Sequence, residues 1–260
     1  MNTVFKANEM RTFPTKDTFL QDKKLNDIIY GFFQTHSYLH IDEESKEKMR
    51  YCWKSETSAA KIIAYFKTIE KESPVSERTI RNIIKLFSQC GILTEGELNK
   101  KKVYFLPDLK AGEYTFIKTE TLQFLVNTST SNVIKIYAFL KKKQEQHNDL
   151  NYTEPYRFSQ AKLLEVVGYN GKNNNGDNLK MVKDILTNLQ NNGLIKIHKE
   201  WVATGKDNAS EYYVLDGVNE DYIHSIDKNY NSKDSYVAVP CPKEESKPKT
   251  RAEILKELGF

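Results

Sequence analysis

The chain has 260 residues, enough for two small domains, and with 39% hydrophobic and 12% aromatic residues it can bury a sizeable core. Lys and Arg number 39 against 35 Asp and Glu, a net charge of +4 that suits nucleic acid without requiring it. A mean hydropathy of −0.64 and the lack of a bilayer-length apolar run leave no candidate membrane-spanning helix. The first residues, "MNTVFKANEMRTFPTKDTF", contain no apolar signal region, and Cys52, Cys90 and Cys241 form no CxxC pair. A cytoplasmic protein without a disulfide framework is expected.

In chain order, "KLNDIIYGFFQTHSYL" (24–39) and "SAAKIIAYFKTIEKE" (58–72) read as helices. The next segment, "VSERTIRNIIKLFSQCGILTEGELNKKKVYFLP" (75–107), is more specific. Ser76 is an N-cap, and Ile80, Ile83, Ile84 and Phe87 form a helical apolar stripe. Gly91 stops the helix, and "ILTEGEL" and "KKVYFLP" are two strands around a Lys-rich turn. "PDLKAGEY" (107–114) is the expected domain boundary, and "YTFIKTETLQFL" (114–125) would open a second domain with a strand or short helix.

The same pattern then returns. "SNVIKIYAFLKKKQEQ" (131–146) and "SQAKLLEVVGY" (159–169) are the upstream helices. Asp177 or Asn178 caps a third, whose stripe is Leu179, Val182, Ile185, Leu186 and Leu189 and whose stop is Gly193. "LIKIHKEWVA" and "SEYYVLD" are strands around "TGKDN". The repeat places the Asn- and Gly-rich run "GYNGKNNNGDN" (168–178) inside the second copy as an enlarged turn, not between domains. Helix, Gly stop and two-stranded wing form the C-terminal half of a winged helix-turn-helix. The expected fold is α+β and mainly helical, with two tandem winged helix-turn-helix domains over 1–110 and 111–220. A polar tail over 221–260 ends in a short helix, "TRAEILKELGF", capped by Thr250 and Glu253.

The motif inventory points away from catalysis. There is no GxxxxGK[ST], no GxGxxG, no HExxH and no H-x-H pair, so no catalytic residue, cofactor or metal is assigned. His36 and His40, near Asp42 and Cys52, could be imagined around one metal ion, but packing or capping is the better reading. Aromatic residues of 30–38 and 104–116 are assigned to core or interface packing.

What remains is binding. Arg78, Arg81 and Lys85 recur at spacings of three and four, opposite Ile80, Ile83 and Phe87, with Asn82 at the border of that face. Arg offers paired donors to guanine or phosphate, and Asn pairs with adenine. Lys180, Lys183 and Thr187 take the equivalent place in the second copy. Lys100, Lys101 and Lys102 lie in one wing and Lys206 in the other, and Lys172 lies in the enlarged turn. Ile254, Leu255 and Leu258 share one face of the terminal helix, which Gly259 stops, and with Phe260 they could anchor it on a protein partner.

In "SERTIRNIIKLFSQCGIL", "YTFIKTETLQFLVNTSTSNVIKIYAFL" and "LKMVKDILTNLQNNGLIKI" the chain resembles the tandem winged-helix replication initiators of plasmids and phages of Gram-positive hosts, over roughly residues 24–217. The resemblance implies binding of double-stranded DNA at origin repeats and recruitment of host replication proteins. A homodimer is compatible with it, and membrane is not involved. By position it assigns recognition to Arg78, Arg81, Lys85, Lys180 and Lys183. A transcriptional regulator and a protein-binding module or inhibitor are the alternatives.

Overall fold

A computed structural model of the protein describes residues 10–41, 48–70, 75–106, 113–150, 155–170, 176–205 and 208–219. The fold is α+β, with antiparallel sheets. The chain forms two compact units, Met1–Ala138 and Phe139–Phe260.

The first unit contains β1 (Met10–Pro14), α1 (Asp17–Leu20), α2 (Asp27–Thr35), β2 (Tyr38–Ile41), β3 (Lys48–Trp53), α3 (Ala59–Thr68), α4 (Glu77–Gln89), β4 (Thr94–Leu98), β5 (Lys101–Leu106), β6 (Tyr114–Lys118) and α5 (Thr119–Thr128). β2, β3, β5 and β4 form one sheet in that order, and β1 pairs with β6. α6 (Ser131–Asp149) carries the division between units. The second unit continues with β7 (Tyr156–Phe158), α7 (Gln160–Val166), α8 (Gly176–Asn191), β8 (Ile195–Gly205) and β9 (Asn208–Val218), with strand order β7-β9-β8.

The two units share a connectivity of helix, strand, two helices and hairpin, with an additional strand, β2, in the first and with α6, which spans the division, opening the second. In each, the strand before the helix pair lies beside the hairpin's second strand, β3 on β5 and β7 on β9. The expected helix stops hold, because Gly91 (φ 69°) and Gly193 (φ 66°) adopt the left-handed conformation that a side chain disfavours.

Several expectations shift. The helix foreseen over 24–39 ends at Thr35, where His36 closes it, and "YLHI" becomes β2 because its alternation suits a sheet edge. The helix foreseen over 58–72 spans Ala59–Thr68. α8 begins at Gly176, so Asp177 sits in its first turn, where an acid favours the helix dipole, instead of capping it. Residues 107–112, around the expected boundary, lie outside the described residues. β6 and α5, assigned to the second domain, belong by their pairing and packing to the first unit: β6 pairs with β1, and α5 packs on α2. Gly31 is the reason α2 can approach so closely, since a β-carbon there would lie 2.5 Å from Val126 Cγ2.

The first core gathers Tyr30, Phe32 and Phe33 of α2 with Phe66, Phe87, Leu122 and Leu125, all fully or almost fully buried. Tyr30 meets Phe13 edge-on at 5.4 Å and Phe87 at 6.1 Å. Each such ring stabilises the fold by roughly 1.5–3 kcal/mol through burial. A charged pair lies in the same interior. Lys135 Nζ is 3.5 Å from Asp27 Oδ2 and donates to the carbonyls of Leu20 (2.6 Å) and Asp22 (3.1 Å). Ser131 donates to Asp27 at 2.6 Å. Burial pushes the Asp27 carboxyl up to about 6, against the pull of Lys135. In the second unit, Val182, Ile185, Leu186 and Leu189 of α8 form the buried stripe, and α7 packs on it.

Candidate nucleic-acid interface

α4 is built to show one face and hide the other. Ser76 Oγ accepts the Thr79 N–H at 3.3 Å, and Glu77 occupies the first turn. Ile80, Ile83, Ile84 and Phe87 are buried, while Arg78, Arg81, Asn82 and Lys85 are all exposed. Spacings of three and four put these four side chains on adjacent turns of the outward face. Arg81 is 71% exposed and forms an ion pair with Glu77 one turn earlier. Among the described residues, no acid pairs with Arg78 or Lys85.

Beside this helix lies a groove of about 520 Å³. Arg81, Lys85 and Gln89 line it from α4, Ser58 from the start of α3, and Lys54 and Tyr104 from the sheet. Lys54 is already engaged: it contacts Glu95 at 2.6 Å and sits 4.6 Å from the centre of the Tyr104 ring. The sequence reading missed Lys54, Ser58 and Tyr104. They lie apart from α4 in sequence, and the β3–β5 pairing with the packing of α3 on α4 brings them alongside.

The β4–β5 hairpin turns through Asn99 (φ 51°) and Lys100 (φ 59°), both left-handed. Two positive φ values in a two-residue loop match the twist of the flanking strands, and the second position usually carries Gly. A lysine there is held against its preference, in a turn where Lys100, Lys101 and Lys102 are all exposed. Among the described residues none of these three forms an ion pair, although Glu97 lies directly across from Lys102 in the hairpin.

In the second unit Lys180, Lys183 and Thr187 are exposed on α8, as the repeat requires. Lys172 and Lys206 lie outside the described residues, as do Ile254, Leu255, Leu258 and Phe260. The strands carry charge that is internally compensated. Arg157 binds Glu200 at 2.9 Å, Lys199 binds Glu211 at 2.8 Å, and His198 lies 2.9 Å from Asp216 and 3.2 Å from Glu200. Hydrogen bonding to Asp216 raises the His198 pKa, and hydrogen bonding from Arg157 lowers that of Glu200.

His36 caps α2 and stacks on Phe32 at 3.9 Å, and burial lowers its pKa. His40 and Cys52 fall on opposite faces of the sheet, because His40 pairs with Met49 and strand neighbours alternate. Cys52 is buried and donates to the Phe33 carbonyl. Asp42 lies outside the described residues, and among the described residues no three His, Cys, Asp or Glu side chains gather around one point. Tyr30, Phe32 and Phe33 are core as expected, but Phe116 is 43% exposed and Tyr38 is half-buried on a sheet surface.

No family model, curated protein or solved structure matches the chain.

Proposed function

We propose that the chain is a non-enzymatic DNA-binding protein whose two units act as tandem winged helix-turn-helix modules on double-stranded DNA. α4 and α8 enter successive stretches of major groove, and the β4–β5 turn reaches the phosphates. The carrying observation is the outward face of α4, where Arg78, Arg81, Asn82 and Lys85 stand exposed over a buried apolar stripe, in a unit whose β4–β5 turn exposes three lysines. The three-stranded order common to both sheets, β3-β5-β4 and β7-β9-β8, supports the same reading. Arg78 and Arg81 are the base or phosphate forks, Asn82 is the adenine contact, and Lys85 and Lys100–Lys102 are phosphate contacts. Lys180 and Lys183 hold the second unit mainly through phosphate.

The biological setting we propose is initiation of replication at a plasmid or phage origin, in the cytoplasm. Two linked readers lengthen the site and raise effective concentration at repeated sequences. The residues 250–260 would recruit host replication proteins. Footprinting on the flanking DNA tests the setting: protection of origin repeats supports it, and protection confined to a promoter makes the protein a transcriptional regulator.

Salt dependence tests the binding reading itself. Duplex affinity should fall with added salt, at a logarithmic slope of about −0.9 for each phosphate neutralised. Lys85→Ala should reduce that slope by about one. Affinity that does not change with salt, or Arg78→Ala and Arg81→Ala leaving it intact, would make the units protein-binding modules instead.

A further inference from the structure

The β2-β3-β5-β4 sheet has a second face, turned away from α2. Cys52 and Tyr104 lie on the inner face, where the thiol bonds the Phe33 carbonyl at 3.2 Å and the Tyr104 ring meets Phe33 at 5.8 Å. Strand alternation therefore puts Tyr51 and Trp53 outside, with Tyr38 directly across from Tyr51. The three rings form a continuous row. Tyr38 and Tyr51 are 5.6 Å apart with planes 31° from parallel, and Trp53 meets Tyr51 edge-on at 5.1 Å. All three are half-buried, so each keeps part of its surface open to solvent. At the Trp53 end Lys101 Nζ stands 5.6 Å from the ring centre, beside Lys100 and Lys102. The exposed aliphatic side chains of this region, Leu39 and Ile41, alternate onto the other face.

We propose that the outer face formed by Tyr38, Tyr51 and Trp53, beside the Lys100–Lys102 turn, is a stacking site for single-stranded DNA. Aromatic faces accept any base, and Lys101 at the Trp53 end, with the neighbouring turn, attracts the phosphate backbone. On the same face Phe105 lies across from Tyr51 and the fully buried Val103 across from Trp53, so the surface is mainly aromatic with a cation at its Trp53 end, which suits a polyanion with planar groups. The Tyr38 hydroxyl donates to Glu56 at 3.0 Å. That carboxylate closes the row at its Tyr38 end and keeps phosphates on the lysine side. The choice of DNA over RNA rests on the duplex-binding reading, because the lysine turn belongs to both faces. A strand separated from the duplex held by α4 would lie against this row.

Trp53 makes the test direct, since Trp201 is the only other tryptophan. In the full chain carrying Trp201→Phe, titration with oligo(dT) of about 12 nucleotides should quench the remaining tryptophan fluorescence. By anisotropy with labelled oligo(dT), Tyr51→Ala and Trp53→Ala should each weaken binding on the order of tenfold, and Trp53→Phe should restore most of it. Duplex affinity should stay unchanged in all three. Conversely, Arg78→Ala with Lys85→Ala should lose duplex and keep oligo(dT) quenching. If duplex is not bound but oligo(dT) still quenches, the reading of α4 fails and the stacking site stands. The stacking site is overturned by absent quenching, by oligo(dT) affinity indifferent to Tyr51→Ala and Trp53→Ala, or by tighter binding of oligo(U). It is equally overturned if sedimentation shows that the same substitutions abolish self-association instead.

Discussion

The two units share a connectivity and differ in how they use their charge. In the first, the outward face of α4 and the β4–β5 turn carry cations that form no ion pair on the described surface apart from Arg81–Glu77, with Glu97 lying across from Lys102. In the second, α8 offers Lys180 and Lys183, but the sheet behind it spends Arg157, His198 and Lys199 on Glu200, Asp216 and Glu211. A paired surface charge contributes little field at a distance, whereas unpaired ones add. On the proposed duplex-binding reading, the contrast makes the first unit the anchor and the second a modest further contact, set by where the acids fall. The first unit should dominate affinity for duplex DNA, and the second should extend the site.

The largest expected effect asks whether the first unit can be broken selectively. Lys135→Met removes the cation from the buried Asp27 pair and should cost about 3–5 kcal/mol of that unit's stability at neutral pH. Asp27 already titrates at about 6, above its ordinary 3.8. A raised acid pKa stabilises the fold below the unfolded value, and the contribution is lost as pH rises through the folded one. Without Lys135 the carboxyl rises further, so the defect should be milder at pH 5 than at pH 8. Denaturant unfolding at the two pH values, read by hydrogen exchange of α2 amides, measures both effects. An equal defect at both pH values would refute the account of the pair.

Next in size is the comparison itself. Arg78→Ala, Arg81→Ala and Lys85→Ala combined should weaken duplex binding by roughly 10²–10³-fold, at about 1–3 kcal/mol per base contact and less per phosphate contact. Lys180→Ala with Lys183→Ala should cost only about tenfold. Equal losses in fluorescence anisotropy would show that the internal pairing of the second unit is irrelevant to binding.

A smaller effect separates strain from contact. Lys100→Gly removes a side chain from a left-handed position, so it should raise stability by about 0.5–1 kcal/mol while lowering duplex affinity a few-fold. Thermal melts and binding on one preparation should move in opposite directions. The smallest effect lies in the second sheet. The raised pKa of His198 favours its charged form, so its contribution is full below about 6.5 and is lost as pH rises through the folded value. The histidine should titrate above its usual value by NMR, and His198→Asn should abolish the pH dependence of amide protection in β8 and β9, measured as exchange corrected for the intrinsic base-catalysed rate.

Much of this fold was legible because local signals coincided. Ser76, the apolar stripe of α4 and Gly91 all mark the same helix, and Gly193 repeats the mark in α8. The basic face of α4 could be read because helical spacing alone fixes which side chains share a side. The sequence reading did not find β3, β7 or the pairing of β1 with β6. Short strands have weak periodic signals, and their partners lie far along the chain.

The sequence by itself determined the repeated helix–stop–hairpin pattern and the polar face of each third helix, because both follow from nearest-neighbour spacing and backbone preference. Only the tertiary structure decided which charges are neutralised, and that β6 and α5 join the first unit. It also decided that Tyr38, Tyr51 and Trp53 line up on an open sheet face. These outcomes depend on strand register and on burial, through which residues distant in sequence become neighbours whose charges and surfaces cancel or add.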